Sequence, residues 1–153
     1  MASLDNRIPP PLLMLATGIL MTAVRLRSGA PILPAGWQAS LTGAFLLVAG
    51  VFGAPAFVAF GRAKTTINPV QIELASSLVT TGVYRVTRNP MYVALTSLLC
   101  ALAAWLNQPL AIAGPLLFAL YLTRFQIIPE ERVLTQKFGA AYDDYRRTVR
   151  RWL

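Results

Sequence analysis

The side chains best suited to chemistry fall in two short clusters of this chain. The first is the segment 82–92, Gly-Val-Tyr-Arg-Val-Thr-Arg-Asn-Pro-Met-Tyr, and the second is the pair Glu130-Glu131. An arginine of the first cluster could bind a carboxylate or a phosphate through two parallel hydrogen bonds. A glutamate could bind an amine or a ribose diol, and a tyrosine ring could pack against a cation. Together, the clusters would suit a zwitterionic or charged small molecule.

Both clusters border long stretches without charge. No charged residue occurs in 8–24, 28–61 or 89–123, and hydrophobic residues make up 56% of the chain. Because about 20 apolar residues span a bilayer core, these stretches favour an integral membrane protein over a soluble bundle with a wholly buried core. The length of 153 residues is typical of a single domain.

The sequence predicts an all-α fold, a bundle of four transmembrane helices followed by an amphipathic helix at the C-terminus. The four spans are predicted at about Pro10–Val24, Gly36–Phe60, Pro90–Leu106 and Leu110–Ile128. We divide the single domain 1–153 into two N-terminal helices, 1–60, and a core that holds both clusters, 61–153.

Two sequence patterns predict how these helices pack. Gly36, Gly43 and Gly50 recur every seven residues, so they share a face that should allow a close helix contact. After Glu130, apolar and aromatic side chains fall on one helical stripe, and Gly139 favours a break in it. We expect this C-terminal helix, Arg-rich on one side and aromatic on the other, to lie along the membrane surface.

The third and fourth helices are predicted to form a hairpin about the turn Asn107-Gln108-Pro109. A hairpin returns the chain to the side that it left. The two clusters should therefore meet at one membrane boundary, which gathers Tyr84, Arg85, Arg88, Tyr92, Glu130 and Glu131. Charges at such depth need partners or a function. Two interpretations stay open, a structural Arg–Glu pair that pins the hairpin and a ligand pocket.

The charge pattern predicts orientation and excludes some functions. All lysines and arginines except Arg25 and Arg27 lie on the side that would hold both termini. The positive-inside bias puts that side in the cytoplasm, and we expect a prokaryotic inner membrane. The net charge of +8 does not indicate nucleic acid, because the basic residues flank apolar segments. With no histidine and the single cysteine Cys100, we expect no metal site and no disulfide.

The two clusters also carry a family resemblance. The pattern Gly82-x-Tyr84-Arg85-x-x-Arg88-Asn89-Pro90-x-Tyr92, followed by Glu130-Glu131-x-x-Leu134-x-x-x-Phe138-Gly139-x-x-Tyr142-x-x-Tyr145, resembles the isoprenylcysteine carboxyl methyltransferase and phospholipid methyltransferase superfamily. This resemblance implies an integral membrane methyltransferase that uses S-adenosylmethionine. Asn89 stands where many members have histidine, so no histidine can move a proton in this site.

The resemblance also implies which residues border the cofactor, carried over by position. They are Tyr84, Arg88, Asn89, Pro90, Tyr92, Glu130 and Glu131. We expect Arg88 and Glu131 to orient the cofactor, and Arg88 and Glu130 to act as the catalytic residues. Methyl transfer from a sulfonium needs alignment more than acid–base catalysis. A base is needed only where the acceptor is an amine or a thiol that must lose a proton, and Glu130 or Glu131 could then serve.

The predicted function is methyl transfer to a hydrophobic or lipid-like acceptor that reaches the site from the bilayer. An isoprenylcysteine-type carboxylate and a lipid amine are both open as acceptors, and so are small thiols and other small hydrophobic molecules. One alternative is a membrane NADPH-dependent reductase related to sterol reductases, which have a related hairpin. Another is a non-catalytic small membrane or transport protein, which is disfavoured because the middles of the predicted helices lack ionisable residues.

Overall fold

The computed structural model describes residues 8–25, 31–63 and 78–153, with the backbone alone at 60–63. The described chain is all-helical, as predicted. Its helices are α1 (Pro10–Arg25), α2 (Ala35–Ala63), α3 (Pro90–Leu106), α4 (Ala113–Leu122), α5 (Ile128–Phe138) and α6 (Ala140–Thr148). Two 3-10 turns, Gly82–Arg85 and Pro109–Ile112, precede α3 and α4, and a π-helical turn, Thr123–Ile127, joins α4 to α5.

Among the described residues, two stretches are long and apolar enough to cross a membrane, Ala35–Ala59 and Pro109–Phe138. α1 and α3 are apolar but shorter, with 16 and 17 residues. The number of four spans therefore stays a prediction. The fourth predicted helix was expected to end at Ile128, and this boundary is wrong, because the helical path continues to Phe138. Pro129 lacks a backbone N–H, but it lies in the first turn of α5, directly after the π turn, so the helical path continues through it.

α3 packs most extensively against α2. A Cβ added at Gly53 of α2 would lie 3.1 Å from the Cβ of Ala94, so the two backbones approach closely here, as small residues allow. The close contact predicted at the heptad-spaced glycines is wrong. A Cβ would meet no described atom within 4 Å at Gly36, Gly43 or Gly50. Heptad spacing identified a common face, but that face is not the one that meets α3.

The hairpin turn after α3 is held by one side chain, Asn107. This residue ends α3 in the left-handed conformation, with a φ of 54°, and it is buried. Its Oδ1 accepts hydrogen bonds from the amides of Ile32 and Leu33 at 3.2 and 2.8 Å, and its Nδ2 donates to the carbonyl of Leu33 at 2.9 Å. Asn107 therefore ties the segment before α2 to the hairpin turn, which lies where it was predicted.

We expect Asn107→Gly to destabilise the protein, because glycine keeps the left-handed conformation but loses all of these hydrogen bonds. The loss should be about 2 kcal/mol, since several part-buried hydrogen bonds are lost at once. The measurement is thermal unfolding in detergent. Unfolding is monitored by the reaction of a thiol dye with Cys100, the single cysteine, which is half-buried in the folded protein. Asn107→Asp, which keeps the acceptors, should lose less. An unchanged midpoint for Asn107→Gly would contradict this role.

Candidate functional site

The first cluster enters the site through a tight turn and a proline. Gly82 has a φ of 62°, which glycine adopts without strain, and it begins the 3-10 turn Gly82–Arg85. Pro90 is the first residue of α3, where a missing N–H costs no helical hydrogen bond. Residues 86–89 lie between these two fixed points, so their side chains are held at the start of α3.

Residues 149–152, which we name the C-terminal strap, pair with this cluster. The amide of Arg88 donates to the carbonyl of Arg150 at 2.9 Å, in a parallel bridge between Thr87 and Arg150. The carbonyl of Arg151 accepts from the Thr87 hydroxyl at 3.2 Å and from the Asn89 amide at 2.9 Å. Asn89, expected beside the cofactor, thus uses an amide N–H to fix the strap.

Glu131 is the centre of a charged cluster under the strap. Its Oε1 is 2.6 Å from Arg88 and 3.0 Å from Arg151, and its Oε2 is 2.7 Å from Arg151. Arg88 also donates to the carbonyls of Val149 and Arg146, at 2.7 and 3.1 Å. The side chains of Arg88 and Glu131 are only 11% and 14% exposed. A buried carboxylate is thereby matched by two guanidinium groups, which the structural interpretation requires.

Glu130 has a different environment, although it is the next residue. It is buried, and its Oε1 accepts hydrogen bonds from the Tyr92 hydroxyl at 2.5 Å and from the Gln126 amide at 2.9 Å. Both donors are neutral groups, whereas Glu131 meets two cations. The two adjacent carboxyl groups are therefore set up for different tasks, and Glu130 is the one whose carboxyl no arginine of the described chain neutralises.

The π turn explains how Gln126 and Glu130 come to share the inner face. The buried residues Phe118 and Leu122 define that face on α4. Glu130 follows Leu122 by eight residues, so a regular α-helix would turn Glu130 roughly 80° away from it. The wider π turn at Thr123–Ile127 offsets this rotation. π turns inside α-helices often mark functional sites, and this one aims an amide and a carboxyl inward.

Three buried tyrosines pack beside the charged cluster. The Tyr145 hydroxyl donates to the carbonyl of Tyr84 at 2.6 Å, and the Tyr142 and Tyr145 ring centroids are 6.2 Å apart. Burial raises the pKa of Tyr142 to about 12 and raises the pKa of Tyr84 and of Tyr145 well above the ordinary value. All three hydroxyls stay protonated at neutral pH, so these tyrosines form a wall and not a set of bases.

The aromatic stripe predicted on the C-terminal helices is present, and Gly139, with a φ of 51°, breaks the helix there. The stripe does not lie outside the protein, however. Tyr142, Tyr145 and Val149 are buried in one hydrophobic cluster. The apolar face of α6 is therefore covered by the protein itself, and the position of the C-terminal helix along the membrane surface stays a prediction.

The structure brings most of the expected site residues together. Tyr92 meets Glu130, Arg88 meets Glu131, and Asn89 meets the strap. Arg85 is exposed and takes no part in the hydrogen bonds described above. Sequence reasoning missed Gln126 and Arg151. A signal for Gln126 existed, since it precedes Glu130 by four residues on a helix, but nothing in the sequence pointed to Arg151.

Comparison with known proteins gives this site a family. The family model of phospholipid methyltransferases matches residues 37–141. The chain belongs to this family. The matched range contains both clusters, and the C-terminal strap lies outside it. With its two candidate membrane spans, this phospholipid methyltransferase family member is a membrane protein, and the resemblance inferred from the sequence is confirmed.

Individual relatives agree with the family. A 63-residue match, 44% identical, covers 41% of the chain and the whole of an uncharacterised protein of Haemophilus influenzae. A probable protein-S-isoprenylcysteine O-methyltransferase of Oryza sativa subsp. japonica is 32% identical over 117 residues, 74% of the chain and 60% of that protein. Methanethiol S-methyltransferase 2 of Bradyrhizobium diazoefficiens is 36% identical over 97 residues, 61% of the chain and 32% of that protein. No solved structure matches.

Proposed function

We propose that this chain transfers a methyl group from S-adenosylmethionine to a hydrophobic or lipid-like acceptor at the cytoplasmic face of a membrane. The observation that carries the proposal is the pair of adjacent glutamates with opposite surroundings. Glu131 is held by two arginines, and Glu130 is buried with two neutral donors. The first arrangement suits the binding of a charged ligand, and the second suits the handling of a proton at an acceptor.

The residues of the site fit the proposed methyl donor. An arginine can donate two parallel hydrogen bonds to the carboxylate of S-adenosylmethionine, and a glutamate can pair with its ammonium group. Tyrosine rings can stack on its adenine and pack against its sulfonium. Arg88 Nε is buried and has no hydrogen-bond partner in the described chain, so one donor of this guanidinium remains for a ligand. When bound, S-adenosylmethionine supplies an electrophilic methyl group on sulfur. Arg88, Asn89, Pro90, Glu131, Tyr84 and Tyr92 would hold and orient it.

Glu130 decides which acceptors the site would serve. A carboxylate acceptor is already nucleophilic, whereas an amine or thiol acceptor must give up a proton. Glu130 would take that proton on its carboxyl, while Tyr92 and Gln126 hold the group in place. An isoprenylcysteine-type carboxylate and a lipid amine are therefore both candidate acceptors, and they differ in whether they need Glu130.

The outer surface supports lateral access of such an acceptor from the bilayer. Large apolar side chains are exposed on α2, among them Trp37, Leu47 and Phe57, as expected of a helix that faces lipid. We place both termini and the site on the cytoplasmic side of a prokaryotic inner membrane. Cysteines introduced singly near either terminus, in a Cys100→Ala background, should react with an impermeant thiol reagent only after the cells are opened.

The proposed activity is tested by incubating the detergent-purified protein with S-adenosylmethionine, radiolabelled on its methyl group, and a total membrane lipid extract. Label should enter a lipid-like species, whose chemistry then identifies the acceptor class. Glu131→Ala is the matched control and should transfer little label. Tight binding of NADPH without binding of S-adenosylmethionine would instead support a reductase, and would contradict the proposal.

We expect Gln126→Leu to lower methyl transfer about tenfold, because Glu130 loses one of its two positioning hydrogen bonds. Leucine has a similar size, so the buried side chain should still pack. The measurement separates kcat from KM for the donor, and the loss should appear in kcat. Gln126→Glu, which brings a second carboxyl beside Glu130, should be worse than Gln126→Leu. An equal loss of donor affinity would show that Gln126 acts on binding.

A further inference from the structure

The two arginines on Glu131 are not equivalent. Arg88 is fixed by the carbonyls of Val149 and Arg146 as well as by Glu131, and its side chain is 11% exposed. The guanidinium of Arg151 forms its hydrogen bonds in the described chain with Glu131 alone, and its side chain is 37% exposed. Arg88 is therefore a permanent partner of this carboxylate, whereas Arg151 has the freedom to leave it.

The backbone of Arg151 cannot leave with its side chain. Its carbonyl accepts hydrogen bonds from Thr87 and Asn89. The next residue, Trp152, donates from its indole to the Thr123 hydroxyl at 3.1 Å. Since the carbonyl of Arg150 also accepts a hydrogen bond from the amide of Arg88, the strap is attached on both sides of the Arg151 Cα, while the guanidinium is held, among the described residues, by Glu131 alone. Such a residue can exchange one anionic partner for another without any movement of the fold.

We propose that Arg151 binds the α-carboxylate of the methyl donor and that, by doing so, it releases Glu131 to bind the donor's ammonium group. This inference rests on the proposed function, because it concerns the donor of that reaction. In the free protein, Arg151 and Glu131 pair with each other. In the complex, Arg151 pairs with the donor's carboxylate and Glu131 with its ammonium group. One ion pair opens and two form, so Arg151, Glu131 and both charges of the donor's amino-acid end stay paired, as buried charges require.

The exchange changes the roles expected of the arginines. Arg88 was expected to orient the donor directly, but two of its nitrogens are already bonded to the protein. Arg151 presents a complete fork, with Nε and one terminal nitrogen on the two oxygens of a carboxylate. This bidentate geometry is the one that an α-carboxylate would take over. Asn89 becomes the residue that positions Arg151, since its amide fixes the Arg151 carbonyl.

The test compares two ligands by calorimetry on the detergent-purified full chain. One is S-adenosylmethionine, and the other is decarboxylated S-adenosylmethionine, which keeps the sulfonium, the adenosine and the amine. Arg151→Gln should weaken S-adenosylmethionine binding about 10- to 100-fold, the usual range for a hydrogen bond between charged groups. Binding of the decarboxylated ligand should not weaken, because the fork has no carboxylate to bind there and its removal leaves Glu131 free for the amine. The neighbouring exposed Arg150 provides the control, and Arg150→Gln should change neither affinity.

Each other result overturns the inference in its own way. Tighter binding of S-adenosylmethionine to Arg151→Gln would mean that Arg151 only competes with the ligand. Equal weakening of both ligands would mean that it acts on the fold. If Arg151→Gln folds poorly, Arg151→Lys takes its place, because lysine keeps the charge but cannot form two parallel hydrogen bonds to a carboxylate. Arg151→Lys should again weaken the binding of S-adenosylmethionine alone. If the unmodified protein binds neither ligand, the proposed function itself fails, whereas binding with an unchanged preference in Arg151→Gln removes this inference alone.

Discussion

Glu130→Gln should lower methyl transfer to an amine or thiol acceptor by about 10²- to 10⁴-fold, the usual contribution of a positioned base. Glutamine keeps the size of the side chain and an oxygen that accepts hydrogen bonds from Tyr92 and Gln126, but it cannot take a proton. Transfer to a carboxylate acceptor should fall by less than about tenfold, because that acceptor needs no base. One substitution thus separates the two acceptor classes.

The measurement is kcat for one acceptor of each class with the same purified variant, together with its affinity for S-adenosylmethionine. Tyr92→Phe is the matched control, since it removes one hydrogen bond from the same Glu130 oxygen and leaves the carboxyl. It should lower kcat by about tenfold. If Glu130→Gln lowers transfer to both acceptor classes equally, Glu130 positions the reactants and does not accept the proton.

The meeting of the two clusters could be predicted because it needs little information. Uncharged stretches of the right length and a short turn are enough to bring the start of α3 to the start of α5. The first and last residues of α3, Pro90–Leu106, were predicted correctly, because a proline marks the start of this helix and Asn107 marks its end. Of the two interpretations of the Arg–Glu pair, the ion pair between Arg88 and Glu131 is present, and the ligand pocket stays a prediction.

What could not be predicted depends on contacts that leave no periodic signal. The π turn changes the helical phase within five residues, so no repeat in the sequence reveals that Gln126 faces Glu130. The strap offers its backbone carbonyls to residues more than 60 positions away, and a backbone carbonyl is present whatever side chain the strap residue carries. The spacing of apolar and aromatic residues predicted the stripe on α6, but such spacing does not show whether lipid or protein covers that face.

Glu131→Gln should cause the largest loss of stability among single substitutions in this site. It leaves the buried guanidinium of Arg88 without a negative partner, and breaking a buried pair in this way costs about 3–5 kcal/mol. The strap should also loosen, because Arg151 loses both of its bonds to Glu131. Thermal unfolding followed at Cys100 measures the loss. Asp143→Asn, at an exposed pair 3.7 Å from Arg146, is the matched control and should cost less than about 1 kcal/mol.

A double-mutant cycle decides whether this loss comes from the orphaned charge. Arg88→Met removes the guanidinium while keeping a flexible side chain, so Glu131→Gln should cost less in that background than in the unmodified protein. The difference should be about 1–3 kcal/mol, as found for residues in direct contact. Additive losses would mean that the two residues stabilise the protein independently and that the ion pair is incidental. A coupling of the expected size would mean that Arg88 and Glu131 form one structural unit, which leaves Arg151 as the partner available to a ligand.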